Sequence, residues 1–420
     1  MNSNFKITVV LILLLIGTAS IISSYPIDGY LFSQIRRLNR LQLILEGKIN
    51  DTKLLPGQLL SINDIKLSLY GTRLDSLTNF RKIDAELQNK LNRLFPNKDE
   101  SYSICVLEIT AKQKLRYAER QPDRTFMPGS IGKLAIIAGL FAELEKIYPA
   151  SFPKRIDLLK RSKIRAGRWA IPNSHTIPIF DPETKAFEKR LVRERDVCTL
   201  FEWADHMLSV SSNAAASVVW KELVLLRHYG INYPPSEEEE KNFFEKTPKT
   251  ELRDMMMSVV NDPLRKIGIT ETQWQLGSFF TKEGKRIIPG EGGSIASPFG
   301  LMKYLVALEK GEIVDKESSL EIKRLMYMTD RRIRYAQSPA LKNAAVYFKS
   351  GSYYSCIPEP DFECKKYSGN KQNYMNSVAI IEHPDGTKYF VTLMSNVLKK
   401  NSGTDHMYLA SEIDRIIRQR

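Results

Sequence analysis

A buried helix that carries one lysine constrains the fold of this chain most strongly. A Pro-Gly pair marks a turn, and the run Leu134 to Phe141 that follows is continuously apolar, so we expect a helix enclosed on all sides. Ser130 suits the first position of this helix. Lys133 lies three residues later on the same helical face, within reach of the Ser130 hydroxyl. Because burial lowers the pKa of a lysine, a neutral Lys133 amine could accept the Ser130 proton.

An isolated S-x-x-K pattern also has an ordinary structural explanation, in which the serine caps a helix and the lysine extends to solvent. The pattern occurs four times in the sequence, beginning at Ser3, Ser130, Ser151 and Ser368. Only the pattern at Ser130 opens an apolar helix. Ser130 is therefore the candidate nucleophile.

A second polar motif follows a predicted helix over 200–208. Ser211 and Asn213 stand where a tight turn between two helices can present polar groups to a cleft. Taken alone, this motif is more simply explained as an ordinary helix cap. It becomes a candidate site because of its place in the order of motifs.

A third motif, Lys349-Ser350-Gly351, ends a predicted apolar strand. A lysine at a strand edge can bind an anionic acyl substrate, and a following glycine allows a backbone to approach closely. In isolation, the end of a hairpin is the simpler explanation of this motif too.

Predicted strands lie at both ends of residues 101–420, and predicted helices lie between them. The strand segments are 103–109, 115–118, 345–348, 377–382 and 389–394, and an amphipathic helix over 404–417 closes the chain. We therefore predict an α+β fold, with an antiparallel sheet of about five strands flanked by helices and an all-α subdomain at about 134–328. Residues 25–100 are a predicted N-terminal helical extension, with an amphipathic helix over 30–46, a short strand over 65–70 and helical spacing over 77–95.

The ordered set S-x-x-K, S-x-N and K-S-G resembles that of the penicillin-recognising serine hydrolases, most closely the class A β-lactamases and related D,D-peptidases. The resemblance covers roughly residues 100 to 420. It implies a β-lactamase/transpeptidase-like fold, with Ser130 as the acylated nucleophile and Lys133 as its proton acceptor. By the same resemblance, Ser211 relays a proton to the departing amide nitrogen, and Asn213 orients Lys133 and the amide of the substrate side chain.

The resemblance also implies a substrate-binding strand edge. Lys349 and Ser350 would hold the substrate carboxylate, beside Gly351. The backbone N–H groups of Ser130 and Ser352 would form an oxyanion hole, worth about 3 kcal/mol per donor.

Family members that hydrolyse β-lactams rapidly carry a glutamate in an E-x-x-L-N pattern, which this sequence lacks. In the corresponding stretch, 275–296, Glu283 and Glu291 are the only carboxylates and hence the candidates for activating the deacylating water. Four functions stay open: a β-lactamase that opens the ring through acyl-Ser130, a D,D-peptidase with slow deacylation that acts on peptidoglycan stem peptides, an esterase, and a non-catalytic wall-binding module.

The N-terminus has the outline of a secretory signal. Lys6 precedes the apolar stretch Ile7 to Ile16, and small and polar residues follow it. We expect residues 1–24 to be a signal peptide or, through residues 7–22, a signal anchor, so the folded chain would work in the periplasm or another extracytoplasmic space. Cys356 and Cys364 flank a turn-rich loop and are a candidate disulfide in such an oxidising space.

Cys105 and Cys198 lie in apolar surroundings and are predicted to be buried free thiols. The cysteine and histidine spacings match no metal site, and the chemistry of the three motifs needs no cofactor. The net charge of +14, with basic residues bunched between Lys154 and Arg168 and at 331–334, would attract an anionic cell wall or membrane surface. A merely solvated basic surface explains it equally well. No interleaved basic and aromatic motif indicates a nucleic-acid partner.

Overall fold

The structure is a computed structural model that describes residues 28–51, 54–71, 80–95, 100–111, 113–328 and 332–419. The predicted signal segment, residues 1–24, lies outside these residues. None of the described helices is long and apolar enough to cross a membrane.

Helices dominate the middle of the chain, but the region at about 134–328 is not all-α as predicted, since six short strands pair there into three two-stranded sheets. The helices are α1 (Tyr30–Ser33), α2 (Arg36–Leu45), α3 (Ala85–Asn92), α4 (Lys133–Ile147), α5 (Phe152–Arg161), α6 (Leu200–Leu208), α7 (Asn213–Tyr229), α8 (Glu237–Lys246), α9 (Lys249–Lys266), α10 (Lys282–Ile287), α11 (Pro298–Lys310), α12 (Lys316–Met326) and α13 (Gly403–Arg418). The strands are β1 (Tyr102–Glu108), β2 (Arg116–Arg120), β3 (Lys163–Arg165), β4 (Thr176–Phe180), β5 (Phe187–Leu191), β6 (Val197–Thr199), β7 (Trp274–Gln275), β8 (Ile295–Ala296), β9 (Ala345–Ser355), β10 (Gln372–Glu382) and β11 (Lys388–Asn396).

A five-stranded antiparallel sheet in the order β2-β1-β11-β10-β9 forms the centre of the molecule. Each of the five strand segments predicted from the sequence belongs to it. The sheet is buried on both faces, because residues that alternate along β1 enter two different cores. Ile104 and Val106 pack with α3 and α13, whereas Cys105 and Leu107 pack with the helical region. This arrangement confirms the predicted α+β, β-lactamase/transpeptidase-like fold.

The helix α4 runs through the helical region and is enclosed by its neighbours, as its apolar sequence predicts. It packs against α7 and α9, and its residues from Lys133 to Leu144 are all buried. Gly139 is required at the crossing with α9, since a Cβ atom there would collide with the backbone of Val259. The start of α4 is thereby fixed relative to the rest of the fold.

The described residues ahead of β1 pack onto the same two cores. Ile35 and Leu38 enter the core of the helical region, and Leu87 and Leu91 enter the core on the other face of the sheet. Polar contacts add to this packing, since the Tyr327 hydroxyl donates to the Gly57 carbonyl at 2.8 Å.

Two local predictions need correction or completion, and the cysteine predictions are confirmed. Residues 65–70 form no strand, because their backbone runs along α11 and Leu69 donates to the Glu309 carbonyl instead of to a strand. Helical structure in the predicted 77–95 segment is limited to α3 among the described residues, which exclude 72–79. The predicted disulfide between Cys356 and Cys364 is present, and Cys105 and Cys198 are buried free thiols.

Candidate active site

Ser130 and Lys133 lie at the beginning of α4 with their functional atoms in contact. A short 3₁₀ helix, Gly129–Gly132, carries Ser130, and α4 begins at Lys133. The Ser130 Oγ and the Lys133 Nζ are 2.9 Å apart. The lysine side chain is completely buried, so it does not extend to solvent.

The surroundings of Lys133 favour the neutral amine. Burial, followed by the nearby Lys349 charge, holds the pKa of Lys133 well below its ordinary value. Its Nζ lies 2.6 Å from the carbonyl oxygen of Ser211 and 2.8 Å from Oδ1 of Asn213, both of which only accept hydrogen bonds. A neutral amine has two N–H groups for these two acceptors. Its lone pair is then left for the Ser130 hydroxyl.

The turn between α6 and α7 supplies the second motif. Ser212, not Ser211, caps α7, since its Oγ accepts from the Ala215 N–H at 3.2 Å. The helix cap suggested by the sequence therefore exists, but it leaves Ser211 and Asn213 available to Lys133. Ser211 has a positive φ of 60°, a conformation that few residues other than glycine adopt.

Lys349 reaches the same group of side chains from the edge strand β9. Its Nζ lies 2.7 Å from Oγ of Ser211. Burial and the adjacent Arg334 charge lower the pKa of Lys349 to about 7. The K-S-G motif does not end its strand as predicted, because β9 continues to Ser355 and pairs with β10 beyond the motif. Lys349 is therefore held within a paired strand.

Two glycines allow the turn that carries Ser130 and β9 to approach closely. A Cβ atom on Gly351 would collide with the Pro128 carbonyl and lie 3.0 Å from the Ser130 nitrogen, and one on Gly129 would lie 2.8 Å from the Ser352 nitrogen. The backbone N–H groups of Ser130 and Ser352 thus belong to segments in direct contact. This proximity is what an oxyanion hole made by the two groups requires.

Asn376, which the sequence analysis did not identify, holds the turn that carries Ser130 against the sheet. It lies on β10 opposite Gly351, and its fully buried side-chain amide donates to the carbonyls of Met127 and Pro128 at 2.9 and 3.2 Å. The Asn376 side chain therefore connects the turn that carries Ser130 to the sheet.

These groups border a cavity of about 260 Å³. One wall is β9 with Arg334, which donates to the Gly351 carbonyl at 3.1 Å and to Oγ of Ser352 at 3.2 Å. The β4–β5 hairpin and the segment before it also border the cavity, through Lys189 and His175 respectively. No carboxylate lines the cavity within the described part of the chain. In the same part of the chain, no three metal-ligating side chains lie together.

The two glutamates considered for deacylation lie elsewhere. Glu283, on α10, binds Arg286 at 2.7 Å, and Glu291 binds Arg253 at 3.0 Å on the surface. Neither lines the cavity. The residue of their segment that reaches Lys133 is Phe280, whose ring centroid lies 4.9 Å from the lysine Nζ.

Sequence reasoning did not single out Phe280, Asn376 or Lys189, because each reaches the site through the fold and not through local spacing. Arg334 was visible only as part of a basic cluster. The neighbouring Arg332 of that cluster is instead structural, with its guanidinium donating to the carbonyls of Leu341, Gly57 and Ala344.

Comparison with known proteins finds one matching family model. Residues 247–419 match the model of the beta-lactamase enzyme family. This match includes the K-S-G motif, whereas the other two motifs precede it. No curated protein sequence matches the chain significantly.

Solved structures extend the likeness to most of the chain. The TLA-3 extended-spectrum beta-lactamase is 15% identical and superposes with a TM-score of 0.51, covering 79% of this chain and 96% of its own. A PBP-A variant in an acyl-enzyme complex with penicillin G is 12% identical, with a TM-score of 0.50 and coverage of 79% and 96%. Together, the family match over residues 247–419 and the shared fold show that this chain has a β-lactamase-like fold.

Proposed function

We propose that the protein is a serine acyl-transfer hydrolase that is acylated at Ser130 by β-lactams or peptidoglycan stem peptides and deacylates slowly. The observation that carries the proposal is the contact of Ser130 with a buried Lys133 whose N–H groups have other acceptors. Such a lysine can act as the base that activates the nucleophile.

In the proposed acylation, Lys133 takes the proton of the Ser130 hydroxyl while Oγ attacks the carbonyl carbon of the substrate. The N–H groups of Ser130 and Ser352 bind the developing oxyanion. When the C–N bond breaks, Ser211 gives its proton to the departing nitrogen and recovers one from the protonated Lys133. Their Oγ and Nζ atoms are 3.4 Å apart.

The substrate carboxylate would bind at Lys349 and Ser350, next to Arg334. Lys349 contacts Ser211 directly, so a carboxylate held there lies beside the proton donor for the leaving group. This requirement favours amides with a nearby carboxylate, which both β-lactams and peptides that end in a free carboxylate provide.

Slow deacylation is proposed because no carboxylate borders Ser130 within the described residues and Phe280 occupies the space next to Lys133. An acyl-enzyme without a base to activate water persists. This arrangement favours a penicillin-binding D,D-peptidase over a rapid β-lactamase. The Cys356–Cys364 disulfide supports action in an oxidising, extracytoplasmic compartment.

Intact-mass analysis after incubation with benzylpenicillin tests the proposal. We expect the wild-type protein to gain the mass of one penicillin and to keep it for hours, and Ser130→Ala to gain none. Ser368→Ala removes the serine of another S-x-x-K pattern and should behave like wild type. Rapid recovery of free enzyme with opened drug would identify a β-lactamase instead. No adduct and no opened drug would overturn the assignment in favour of a binding module.

A further inference from the structure

The β4–β5 hairpin also borders the cavity and lies outside the three motifs. In this hairpin, Pro178 on β4 lies across from Lys189 on β5. Cross-strand partners project to the same face of a sheet, and both residues line the cavity that contains Ser130. The Lys189 side chain therefore borders the same space as the nucleophile.

Two acidic residues of this region, Glu188 and Asp196, bind an arginine and do not line the cavity. Arg190 donates to Glu188 at 3.0 Å and to Asp196 at 2.6 Å. Because neighbouring residues of a strand point to opposite faces, Glu188 and Arg190 share one face of the hairpin and Lys189 has the other. Within the described residues, no carboxylate lies within ion-pairing distance of Lys189.

The cavity consequently has charges of one sign. Its described lining residues include no carboxylate, and the charged side chains among them are those of Lys189, Arg334, Lys349 and Lys366. A substrate carboxylate at Lys349 and Ser350 would balance charge only along β9. The Lys189 cation on the hairpin would still attract an anion, since a cleft lined by one sign of charge concentrates oppositely charged ligands.

We propose that the substrate carries a second anionic group, in addition to the carboxylate held by Lys349 and Ser350, and that Lys189 binds this group. The substrate class is thus a dianionic amide or ester, such as a β-lactam or peptide with an additional carboxylate. This inference rests on the proposed acylation of Ser130 and specifies which substrates acylate it.

Two pairs of acylating compounds test whether a second anion binds at Lys189. The two members of each pair differ by one carboxylate. Benzylpenicillin and carbenicillin differ on the acyl side, whereas thioesters of thiolactate and mercaptosuccinate differ on the side of the leaving group. For each compound, the second-order rate constant of acylation is measured by intact mass for the wild type and for Lys189→Glu. Lys185→Glu is the matched control, because Lys185 is exposed in the same hairpin but does not line the cavity.

In at least one pair, we expect the wild type to react about 10-fold faster with the dianion than with the monoanion. Lys189→Glu should abolish or reverse this preference while it still reacts with the monoanion, and Lys185→Glu should retain the preference. Unchanged ratios in Lys189→Glu for both pairs would overturn the second-anion site while leaving the proposed function intact. Absence of acylation by all four compounds in the wild type would overturn both.

Discussion

The ring of Phe280 lies over the amine of Lys133, with its centroid 4.9 Å from Nζ. The ring thereby closes one side of the Lys133 amine without offering a proton acceptor. It also belongs to the segment in which the sequence led us to expect a deacylating carboxylate. A substitution at Phe280 should therefore affect acylation and deacylation differently.

Phe280→Glu should speed deacylation and slow acylation. A carboxylate beside the acyl-enzyme can activate water, an effect of about 100-fold or more for a well-placed base. The same negative charge raises the pKa of Lys133 and leaves less of the neutral amine to activate Ser130. Time-resolved intact-mass analysis of the penicillin adduct measures both steps. Phe280→Leu adds no charge and should leave the adduct long-lived, and an equally long-lived adduct in Phe280→Glu would contradict the proposed role.

The rate constant for acylation should depend on pH through two lysines. Lys133 must be neutral, so the rate falls as the pH drops through its lowered pKa. Lys349 must be charged to bind the substrate carboxylate, so the rate falls again as the pH rises above its pKa of about 7. The second-order rate constant reports these groups in the free enzyme. Lys349→Arg stays charged and should remove the alkaline limb, whereas an alkaline limb that persists in this variant belongs to another group.

Asn376→Ala should slow acylation without weakening substrate binding. Loss of the two hydrogen bonds to the Met127 and Pro128 carbonyls frees the turn that carries one oxyanion donor, and we expect a loss of about 10- to 100-fold in the acylation step. Saturation kinetics separate this step from binding. The matched control is Asn373→Ala on the same strand, whose amide donates to Val397 and Lys400 instead. Equal losses in both variants would indicate a general effect on the fold.

Lys323→Met should destabilise the protein strongly. The Lys323 Nζ lies 2.6 Å from Glu309 and 2.7 Å from Glu382, and the lysine is fully buried. Without it, two carboxylates face each other in the interior, and we expect a loss of about 3–5 kcal/mol in the free energy of unfolding. Denaturant titration measures it. Lys310→Met, which breaks a surface pair with Glu312, should cost less than about 1 kcal/mol, and a similar cost for both variants would contradict this account.

How much of the site could be predicted depends on whether its residues are linked by local spacing. Ser130 and Lys133 are one helical turn apart, so their contact follows from the sequence once the helix is recognised. The order of the three motifs then identifies Ser211, Asn213 and Lys349 as their neighbours. The resemblance to a known family supplied this last step, because no local rule brings residues 130 and 349 together.

The incorrect predictions share a cause. Alternation over 65–70 indicated a strand, but those residues bury their apolar side chains against helices, and tertiary contacts override local preference. Glu283 and Glu291 were the only carboxylates of their segment, yet each has an arginine partner on the surface. Phe280 lies in the same segment. An apolar residue next to a catalytic lysine has no sequence pattern of its own.

The helix α2 has consequences for the catalytic groups although it lies far ahead of them in the chain. Arg37 binds Asp205 with two hydrogen bonds of 2.5 and 2.6 Å, and Arg36 binds Glu202 at 2.8 Å. Both acceptors belong to α6, the helix that leads into Ser211. A shortened chain starting at residue 101 would leave these two buried carboxylates without counter-ions, at a cost of several kcal/mol. The residues that precede the sheet thus hold the helix that leads into Ser211. We expect that an active fragment must retain them.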